Sequence, residues 1–423
     1  MAWRKKSALW QLLAQPRGLK ASIVSEPERL YFDWNATAPL RPQAKAVLRE
    51  SLAAFGNPSS VHAEGRSARR QIERAREQVA ALVGAQPGNV VFTSGGTEAN
   101  ILALTPAIEI AAPLLSPAPG GKERSGARDR LLLSAIEHSS VRTGGRFPPA
   151  TVEEISVTPA GRLDLAALAD RVESASRPLV SIMAANNETG IVQPVAEAAA
   201  IAHAAGGLVH VDAVQAPGRI ACDIGALGAD LLTLSAHKIG GPKGVGALVR
   251  ASEHTHFPDP LIRGGGQERG IRAGTENVAG IAAFGAAAAA AQAEFAAETA
   301  HMRALRDALE SGLKAISPQL VIFGETVERL PNTTLFALDG VKAETAVIAF
   351  DLAGIAVSSG AACSSGKVQP SHVLAAMGVA PRLARGAVRL SLGWSTEQAE
   401  IDRVIAAWRK LATALCRGHS IAA

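Results

Sequence analysis

Short apolar runs alternate with amphipathic stretches through most of the chain. The runs are bounded by polar residues or glycine, as is typical of buried strands. They lie at Val90–Thr93, Arg130–Ser134, Leu179–Ala185, Leu208–Asp212, Leu231–Ser235 and Val245–Val249. Helical periodicity occurs between them, at Ser67–Val83, Leu165–Val172 and Pro194–Ala205. This alternation predicts an α/β fold built around a largely parallel sheet.

A second, smaller unit follows in the last third of the chain. A long helical pattern begins after Asn277 and continues to about Leu313, which is typical of a connector between domains. Shorter strand and helix patterns follow it at Thr333–Leu338, Glu344–Leu352, Ala387–Leu392 and Thr396–Leu415. The sequence therefore predicts a large domain over 43–290 and a small α+β domain formed by 29–42 and 291–423.

Two segments lie outside this pattern. Residues 1–28 begin with a basic stretch that carries only a short apolar patch. This apolar patch is too short and too interrupted for a signal peptide or a membrane span. We therefore predict a disordered extension, with a targeting or surface-binding helix as the alternative. Residues 112–129 are rich in Pro, Gly and charge, which predicts an exposed insertion loop.

Composition narrows the class of protein. Hydrophobic residues make up 48% and charged residues 19% of the chain, as in soluble globular proteins. The formal net charge of +5 equals the basic excess of the N-terminal stretch, so the high pI does not indicate nucleic-acid binding. Cys222, Cys363 and Cys416 form no C-x-x-C pair, which argues against a disulfide framework or a metal site and favours a reducing cytoplasm.

The apolar run Leu231–Ser235 leads into a glycine-rich turn that contains two lysines. A lysine at a strand end in such a turn can have a confined, partly desolvated amine, which favours Schiff-base chemistry. Lys243 lies farther into the turn, so Lys238 is the stronger candidate. A lone lysine in a loop is usually solvated, and the assignment therefore depends on the segments around it.

Two other strand ends point to a phosphate-bearing cofactor. The segment Thr93–Asn100 passes through a glycine turn into a helix that begins near Thr97. Backbone N–H groups and the helix dipole make such a start an anion site, although an ordinary capped helix has the same pattern. Asp212 ends an apolar strand, where it is either a helix N-cap or the carboxylate that keeps a pyridine nitrogen protonated. Together with Lys238, these residues predict pyridoxal phosphate.

Two further strand ends carry polar side chains that suit the same site. Asn187 and His138 each follow a predicted strand. An asparagine there can hydrogen-bond a ring substituent or a substrate carboxylate, and an imidazole can stack on a planar ring, although a lone histidine is more often structural. Because ligands of open α/β sheets bind at the carboxyl ends of the strands, these segments are expected to converge.

With these segments in place, the sequence resembles the fold-type I pyridoxal-phosphate enzymes of the class V aminotransferase group, and most closely the cysteine desulfurases of the NifS and IscS type. The resemblance covers about residues 30–415 and implies a mostly parallel seven-stranded sheet in the large domain. Further segments that carry it are Tyr31–Pro39, Gly56–Ser60, Gly264–Thr275 and Ser358–Gly366. Ala38 stands where Thr is common and Gly96 where Ala is common, and neither change removes a functional group.

The resemblance implies which residues hold the cofactor. Lys238 is the residue that carries pyridoxal phosphate as a Schiff base. The phosphate is expected to be held by Gly96, Thr97, Ser235 and His237. Thr275 matches the residue that reaches the phosphate of the partner subunit, which implies a homodimer.

The same resemblance implies how the ring and the substrate are held. Asp212 pairs with the pyridine nitrogen, Gln215 meets the ring hydroxyl, and His138 stacks on the ring as part of the catalytic set. Asn187 contacts the cofactor and, with Arg389, binds the substrate carboxylate. An arginine fork suits a carboxylate, although the pattern alone allows Arg389 to be a surface strand residue.

Cys363 matches the catalytic cysteine of these enzymes. It lies among small residues in Ser358–Gly366, which predicts a mobile loop in the small domain. A free cysteine is usually a small buried hydrophobe, but the flanking Gly, Ala and Ser residues favour exposure and a nucleophilic role. Cys222 and Cys416 lack this context and are expected to be inert.

The implied reaction converts L-cysteine to L-alanine and leaves the sulfur as a persulfide on Cys363. An acceptor such as an iron–sulfur scaffold protein would then take the sulfur for iron–sulfur cluster assembly. Two alternatives use the same cofactor: a selenocysteine lyase, and an aminotransferase acting on a small amino acid. A sulfur-carrier module without catalysis conflicts with the presence of Lys238 and Asp212.

Overall fold

The computed structural model describes residues 29–110, 127–359 and 371–421. The strands in chain order are β1 Leu30–Tyr31, β2 Val90–Thr93, β3 Glu109–Ile110, β4 Arg130–Ser134, β5 Val152–Ile155, β6 Pro178–Met183, β7 Leu208–Asp212, β8 Leu231–Ser235, β9 Gly246–Arg250, β10 Thr255–His256, β11 Val321–Ile322, β12 Thr333–Ala337, β13 Ile355–Ala356, β14 Ser358–Ser359 and β15 Val388–Ser391. The helices are α1 Pro42–Ala53, α2 Ala63–Leu82, α3 Gly96–Ala103, α4 Ser139–Arg142, α5 Leu165–Glu173, α6 Val195–Ala204, α7 Val278–Ala293, α8 Phe295–Ile316, α9 Ala343–Leu352, α10 His372–Ala376, α11 Pro381–Ala384 and α12 Gln398–Ile421. The N-terminal extension and most of the predicted insertion lie outside the described residues.

The central element is a seven-stranded sheet with the strand order β2-β9-β8-β7-β6-β4-β5. Strands β5, β4, β6, β7 and β8 pair in parallel. Strand β9 pairs antiparallel with both β8 and β2, so β2 points the same way as the parallel strands. The short connection 236–245 explains this reversal, because a parallel return requires a longer crossover. The predicted mostly parallel α/β sheet is confirmed, and the carboxyl ends of six strands meet at one edge.

Both faces of this sheet are covered, which explains why its strands form continuous apolar runs. Every residue of β6, β7 and β8 is buried. On one face Val180 and Leu232 belong to a core with Phe284 of α7. On the other face Leu179 and Leu231 belong to a core with residues of α3. Strands that are buried on both sides lose the polar alternation of a half-exposed sheet.

The long helical pattern predicted after Asn277 is confirmed as helical, but it is divided into two helices. The axes of α7 and α8 differ by 73° across a break at Glu294. The physical reason is a change of packing partner: α7 packs against α1, α2 and the large sheet, whereas Leu305 and Leu309 of α8 belong to the core of the small sheet. At the break, the buried guanidinium of Arg41 pairs with both Glu294 and Glu298.

The bent pair also bears on membrane insertion. No single helix in the described ranges is long and apolar enough to cross a membrane. Helices α7 and α8 taken together meet the length and composition of a span, but only across their 73° bend.

The second core surrounds a four-stranded antiparallel sheet with the order β11-β12-β15-β14. Phe336 of β12 lies edge-on to Trp408 of α12, with 5.2 Å between the ring centroids. Leu30 and Phe32 belong to this core although they come from the start of the described chain. This return of the N-terminal segment occurs because β1 pairs in parallel with β13.

We propose that the domain division follows the predicted bounds, with 43–290 as the large domain and 29–42 plus 291–423 as the small one. What supports this division is the separation of the two cores on either side of Glu294. The core on the large sheet contains residues from Ala44 to Ala291, and the core on the small sheet contains Leu30, Phe32 and residues from Leu305 onward.

The strand bounds show where sequence patterns succeed and where they do not. The predicted strands Val90–Thr93, Arg130–Ser134, Leu208–Asp212 and Leu231–Ser235 have the predicted ends. Strand β5 was not predicted, because it is an edge strand whose central residues are Glu153 and Glu154. Ser358 and Ser359, assigned by the sequence to a mobile loop, instead form strand β14 against β15, because their backbone groups pair with Val388 and Arg389.

Candidate active site

A cavity of about 470 Å³ opens at the edge where the strands end. It lies beyond the carboxyl ends of β2, β4, β6, β7 and β8, as the sequence predicts. Its lining includes ten of the predicted site residues: Gly96, Thr97, His138, Asn187, Asp212, Gln215, Ser235, His237, Lys238 and Arg389. Their roles stay predictions, but the fold brings these ten residues to one place.

Lys238 lies in a single 3₁₀ turn that follows β8 directly. Its Nζ donates to the backbone oxygens of Asn35 at 2.5 Å and Ala36 at 2.9 Å. Burial lowers the pKa of the Lys238 amine to about 7, and the positive charges of Arg219 and Arg389 act in the same direction. Much of the amine population is therefore uncharged near neutral pH, as a nucleophile requires. Lys243, the other lysine of this turn, is exposed.

Asp212 ends β7 and is buried at the base of the cavity. Its Oδ2 accepts a hydrogen bond from Nδ2 of Asn100 at 2.9 Å, and its Oδ1 accepts from the backbone N–H of Val214 at 3.0 Å. These two donors fix the carboxylate plane. The Asn100 amide also donates to Ser140 at 2.9 Å, while its Oδ1 is buried without a partner among the described residues.

The start of α3 offers an anion cradle beside this carboxylate. The helix begins at Gly96 and no side chain caps its first N–H groups. Thr97 is exposed to the cavity, and buried Ser235 lies across from Gly96. A Cβ at position 96 would come within 3.0 Å of the Val214 side chain, so Gly96 leaves more space here than alanine would. Free N–H groups at a helix start suit a phosphate.

His237 borders the same cradle. Its Nδ1 lies 3.2 Å from Oγ1 of Thr37. Burial lowers the pKa of His237 to about 4, and the charges of Lys238, Lys243 and Arg219 contribute to this lowering. The imidazole is therefore neutral near pH 7 and can donate or accept a hydrogen bond.

His138 lies at the start of α4, after β4, with its ring exposed to the cavity. Its Nδ1 accepts a hydrogen bond from the backbone N–H of Ser140 at 3.2 Å and lies 2.8 Å from the Ser140 hydroxyl. Because Nδ1 acts as an acceptor, the proton of the neutral ring is assigned to Nε2. His138 is the N-cap residue of α4, and its contacts with Ser140 fix the orientation of the ring.

Gln215 is buried in the turn after β7, where both ends of its amide have protein partners. Its Nε2 donates to the backbone oxygen of Asn35 at 3.0 Å, and its Oε1 accepts from Arg219. The amide orientation is therefore fixed by two different neighbours. Neither Asn35 nor Arg219 received a role from the sequence, although Arg219 lies only four residues beyond Gln215.

Arg389 lies on β15 of the small sheet and is buried, so it is not a surface strand residue. Its guanidinium donates to the backbone oxygen of Asn187 at 2.8 Å and pairs with Asp33 at 2.6 Å. Its Nε is buried without a hydrogen-bond partner in the described part of the chain. The fork thus joins the two sheets at the cavity and leaves its Nε–H donor unused.

Two buried carboxyl groups were missed by sequence reasoning: Glu188, which lines the cavity, and Glu137, which precedes the cavity residue His138 in the chain. Burial raises the pKa of Glu188 to about 7, while the hydroxyl of Ser371, 2.5 Å from Oε2, and the charge of Arg389 oppose this. Burial raises the pKa of Glu137 well above its usual range, and the charge of Asp212 adds to the effect. Both glutamates lie beside predicted residues, so their position in the motifs was the available signal.

The remaining predicted residues are not part of this cavity. Thr275 is exposed and lines a separate recess near Arg272. Cys363 and the Cys416 side chain lie outside the described residues. Cys222 is buried, and burial raises the pKa of its thiol to about 12, with the charge of Asp223 adding to the effect. A thiol in that state is a poor nucleophile.

The residues present fit pyridoxal phosphate. The uncapped start of α3 suits the phosphate, the Asp212 carboxylate suits a pyridine nitrogen, and the amine of Lys238 suits an aldehyde carbon. The unused Oδ1 of Asn100 is a buried acceptor next to this carboxylate. Among the described residues, no group of three or more His, Cys, Asp or Glu side chains could hold a metal ion.

Comparison with known proteins agrees with this chemistry. The model of the aminotransferase class-V family matches residues 30–404. A cysteine desulfurase of Cereibacter sphaeroides is 45% identical over 89% of this chain and 94% of its own length. A cysteine desulfurase IscS of Dictyoglomus turgidum is 38% identical over 88% of this chain and 92% of its own.

A solved structure gives the same result. The NifS-like protein from Rickettsia africae superposes with a TM-score of 0.79 at 35% identity, covering 90% of this chain and 99% of that one. The resemblance stated from the motifs is therefore confirmed. The chain belongs to the class-V aminotransferase family and, within it, to the cysteine desulfurases, whose cofactor is pyridoxal phosphate.

Proposed function

We propose that this protein is a cysteine desulfurase that converts L-cysteine to L-alanine and passes the sulfur through Cys363. The observation that carries the proposal is the position of Lys238, a confined amine with a pKa of about 7 at the strand ends. The activity that the related Cereibacter sphaeroides protein is named for needs such a group. Pyridoxal phosphate supplies, when bound, an electron sink that weakens the bonds at the substrate Cα and Cβ.

The residues proposed to hold the cofactor come from four strand ends. Gly96, Thr97, Ser235 and His237 bind the phosphate. Asp212 keeps the pyridine nitrogen protonated, and Gln215 binds the ring hydroxyl. His138 stacks on the ring, held in place by its contacts with Ser140.

Substrate binding is proposed to use the fork of Arg389, with Asn187 beside it. Arg389 is already oriented by Asp33 and by the Asn187 backbone, so little entropy is lost when it meets a carboxylate. Lys238 acts as the base that takes the proton from the substrate Cα. An amine with a pKa of about 7 is suited to this, because both protonation states are populated at neutral pH.

The sulfur step is proposed to be a transfer to the thiolate of Cys363. The bond between the substrate Cβ and sulfur breaks, and a bond between that sulfur and Sγ of Cys363 forms. One substrate thiol and one protein thiol thus give alanine and a protein persulfide, with no external oxidant or reductant. An acceptor thiol then takes the outer sulfur, and we propose an iron–sulfur scaffold protein as that acceptor in the cytoplasm.

A homodimer is proposed as the working form. Thr275 lies outside the cavity of its own chain, which suits a residue that serves the partner's site. Large apolar side chains are also exposed near α1, at Leu52, Phe55 and Val61. A dimer interface would cover such residues.

The test uses purified protein with L-cysteine and measures alanine, sulfide and visible absorbance. We expect alanine from the wild type, and sulfide when a reductant is present. Cys363→Ala should keep the cofactor absorbance and lose sulfide release, while Cys222→Ala should behave as wild type. Sulfide release by Cys363→Ala at the wild-type rate would refute the sulfur-transfer route.

The alternatives are separated by substrate. A selenocysteine lyase would turn over selenocysteine well and have little need of Cys363. An aminotransferase would convert L-cysteine to its 2-oxo acid instead of alanine and would require a keto-acid acceptor. Turnover on L-cysteine without a keto acid therefore distinguishes the proposal from both.

A further inference from the structure

Arg219 is a buried cation next to the candidate active site that the proposed mechanism does not use. It lies in the turn after β7 and is 6% exposed. Its Nη1 donates to the backbone oxygen of Gln215 at 3.2 Å and to the Gln215 side chain, and its Nη2 donates to the backbone oxygen of Lys238 at 3.3 Å. The guanidinium therefore touches the chain at both Gln215 and Lys238.

The partners of Arg219 are all neutral acceptors. In the described ranges no carboxylate lies within ion-pair distance of its guanidinium. Burial lowers the pKa of Arg219 to about 9, and the charge of Arg389 adds to the lowering. A buried charge without a counter-ion is costly to a fold. Neutral donors could supply the same hydrogen bonds at lower cost, so the charge itself calls for a function.

Lys238 is the group that this charge affects. Arg219 and Arg389 are the cations that face it, and Asp212 and Asp33 are the anions. His237, the neighbouring titratable group, is neutral near pH 7. Arg389 is ion-paired with Asp33, so its field is partly cancelled, whereas Arg219 has no such partner.

We propose that Arg219 is a positioning residue whose uncompensated buried charge weakens the hold of the Lys238 nitrogen on its proton. This inference rests on the proposed function, because it explains how Lys238 becomes available as a base. The same fork holds Oε1 of Gln215, so the charge cannot move away from Lys238 without releasing that amide.

The first test replaces Arg219 and follows the visible absorbance of the cofactor-bound protein as a function of pH. The midpoint of the colour change reports protonation of the nitrogen of Lys238 in the holoenzyme. Arg219→Gln keeps hydrogen-bond donors but removes the charge, and its midpoint should rise by roughly one pH unit. A midpoint equal to that of the wild type would overturn the proposal.

The second test leaves Arg219 in place and cancels its field. Met302 is buried and lines the same small cavity as Arg219 and Lys238. A glutamate at this position is expected to pair with Arg219, so Met302→Glu should raise the midpoint as Arg219→Gln does. Met302→Gln has nearly the same shape without the charge and should keep the wild-type midpoint.

The two tests together leave no ambiguous result. A shift in Arg219→Gln without one in Met302→Glu would show that hydrogen bonds, and not charge, are responsible, and would overturn the proposal. Equal shifts in both Met302 variants would show that altered packing, and not charge, moves the midpoint. This result would also overturn the proposal. If Arg219→Gln does not bind the cofactor, the Met302 pair decides alone.

The proposed function can fail separately. The midpoints require only bound cofactor and do not depend on sulfur transfer. Predicted midpoint shifts in a protein that forms no persulfide would support Arg219 and refute the desulfurase assignment. Normal persulfide formation with unshifted midpoints would support the desulfurase assignment and refute the proposed role of Arg219.

Discussion

Buried charges occur in two regions of this protein and are treated differently in each. Away from the cavity, three buried arginines each meet a carboxylate at two atoms. These pairs are Arg41 with Glu298, Arg76 with Glu268, and Arg329 with Glu310, at distances between 2.6 and 3.0 Å. Such bidentate pairs offset the cost of removing both charges from water.

At the cavity and directly beside it, Arg389 is paired with Asp33, but three other buried ionisable groups have no ion-pair partner among the described residues. Lys238 donates only to backbone oxygens, Arg219 has neutral partners, and Glu137 keeps one buried oxygen without a partner in the described chain. Burial displaces their pKa values, to about 7 for Lys238 and well above the usual range for Glu137, and neighbouring like charges add to both shifts. Unbalanced buried charge is what proton transfer near neutral pH requires, and it marks functional sites.

The largest expected effect comes from substitution of Lys238, whose amine has no carboxylate partner among the described residues. Lys238→Ala should lower alanine formation from L-cysteine by about 10³-fold or more, because it removes the proposed base. Lys243→Ala removes an exposed lysine of the same turn and should have no effect. Steady-state rates of the two variants test this, and equal losses in both would contradict the choice of Lys238.

Substitution of an arginine in one of the bidentate pairs should lower the stability of the fold. Arg76→Met leaves Glu268 buried and unpaired, so the free energy of unfolding should fall by about 3–5 kcal/mol. Urea unfolding measures this. Arg142→Met, which breaks a surface pair with Glu154, should cost about 1 kcal/mol or less.

The double variant sharpens this prediction. Arg76→Met combined with Glu268→Leu removes both charges and should recover part of the lost free energy of unfolding. Recovery stays incomplete because Glu268 also accepts the backbone N–H of Phe92 at 2.9 Å. A double variant less stable than Arg76→Met would contradict the view that the pair is balanced.

His210 is fully buried on β7, two residues before Asp212. Burial lowers its pKa from 6.5 to about 4, while the charge of Asp212 opposes the shift. Between these pH values the unfolded chain binds a proton that the folded chain does not. The free energy of unfolding should therefore fall by up to about 3 kcal/mol as the pH drops through this window.

Urea unfolding at several pH values tests this prediction. His210→Gln should flatten the dependence, and His254→Gln, an exposed control, should keep it. The same slope in His210→Gln as in the wild type would assign the pH dependence to other groups.

The smallest expected effect concerns the fork of Arg389. Arg389→Lys keeps the charge but loses bidentate geometry, so the KM for L-cysteine should rise about tenfold. Arg382→Lys changes an exposed arginine of the small domain and should leave KM unchanged. An unchanged KM in Arg389→Lys would count against its proposed contact with the substrate carboxylate.

The sequence predicted the positions of the strands better than it predicted the environments of the ionisable side chains. Strands such as Leu208–Asp212 were predicted because they are buried on both faces, and the convergence of their ends followed from the parallel sheet. The sequence also identified the family. It did not reveal that Glu188 and Arg219 are buried without full compensation, because burial and counter-ions arise from contacts between distant segments. The break at Glu294 was missed for the same reason.

The central claim is that sulfur from L-cysteine passes to Cys363. The most direct measurement is mass spectrometry of the peptide that contains Cys363, after the protein is incubated with L-cysteine without reductant. We predict that this peptide gains one sulfur atom, that the gain is absent in Lys238→Ala, and that Cys222 stays unmodified. Alanine formation with an unmodified Cys363 peptide would contradict the account.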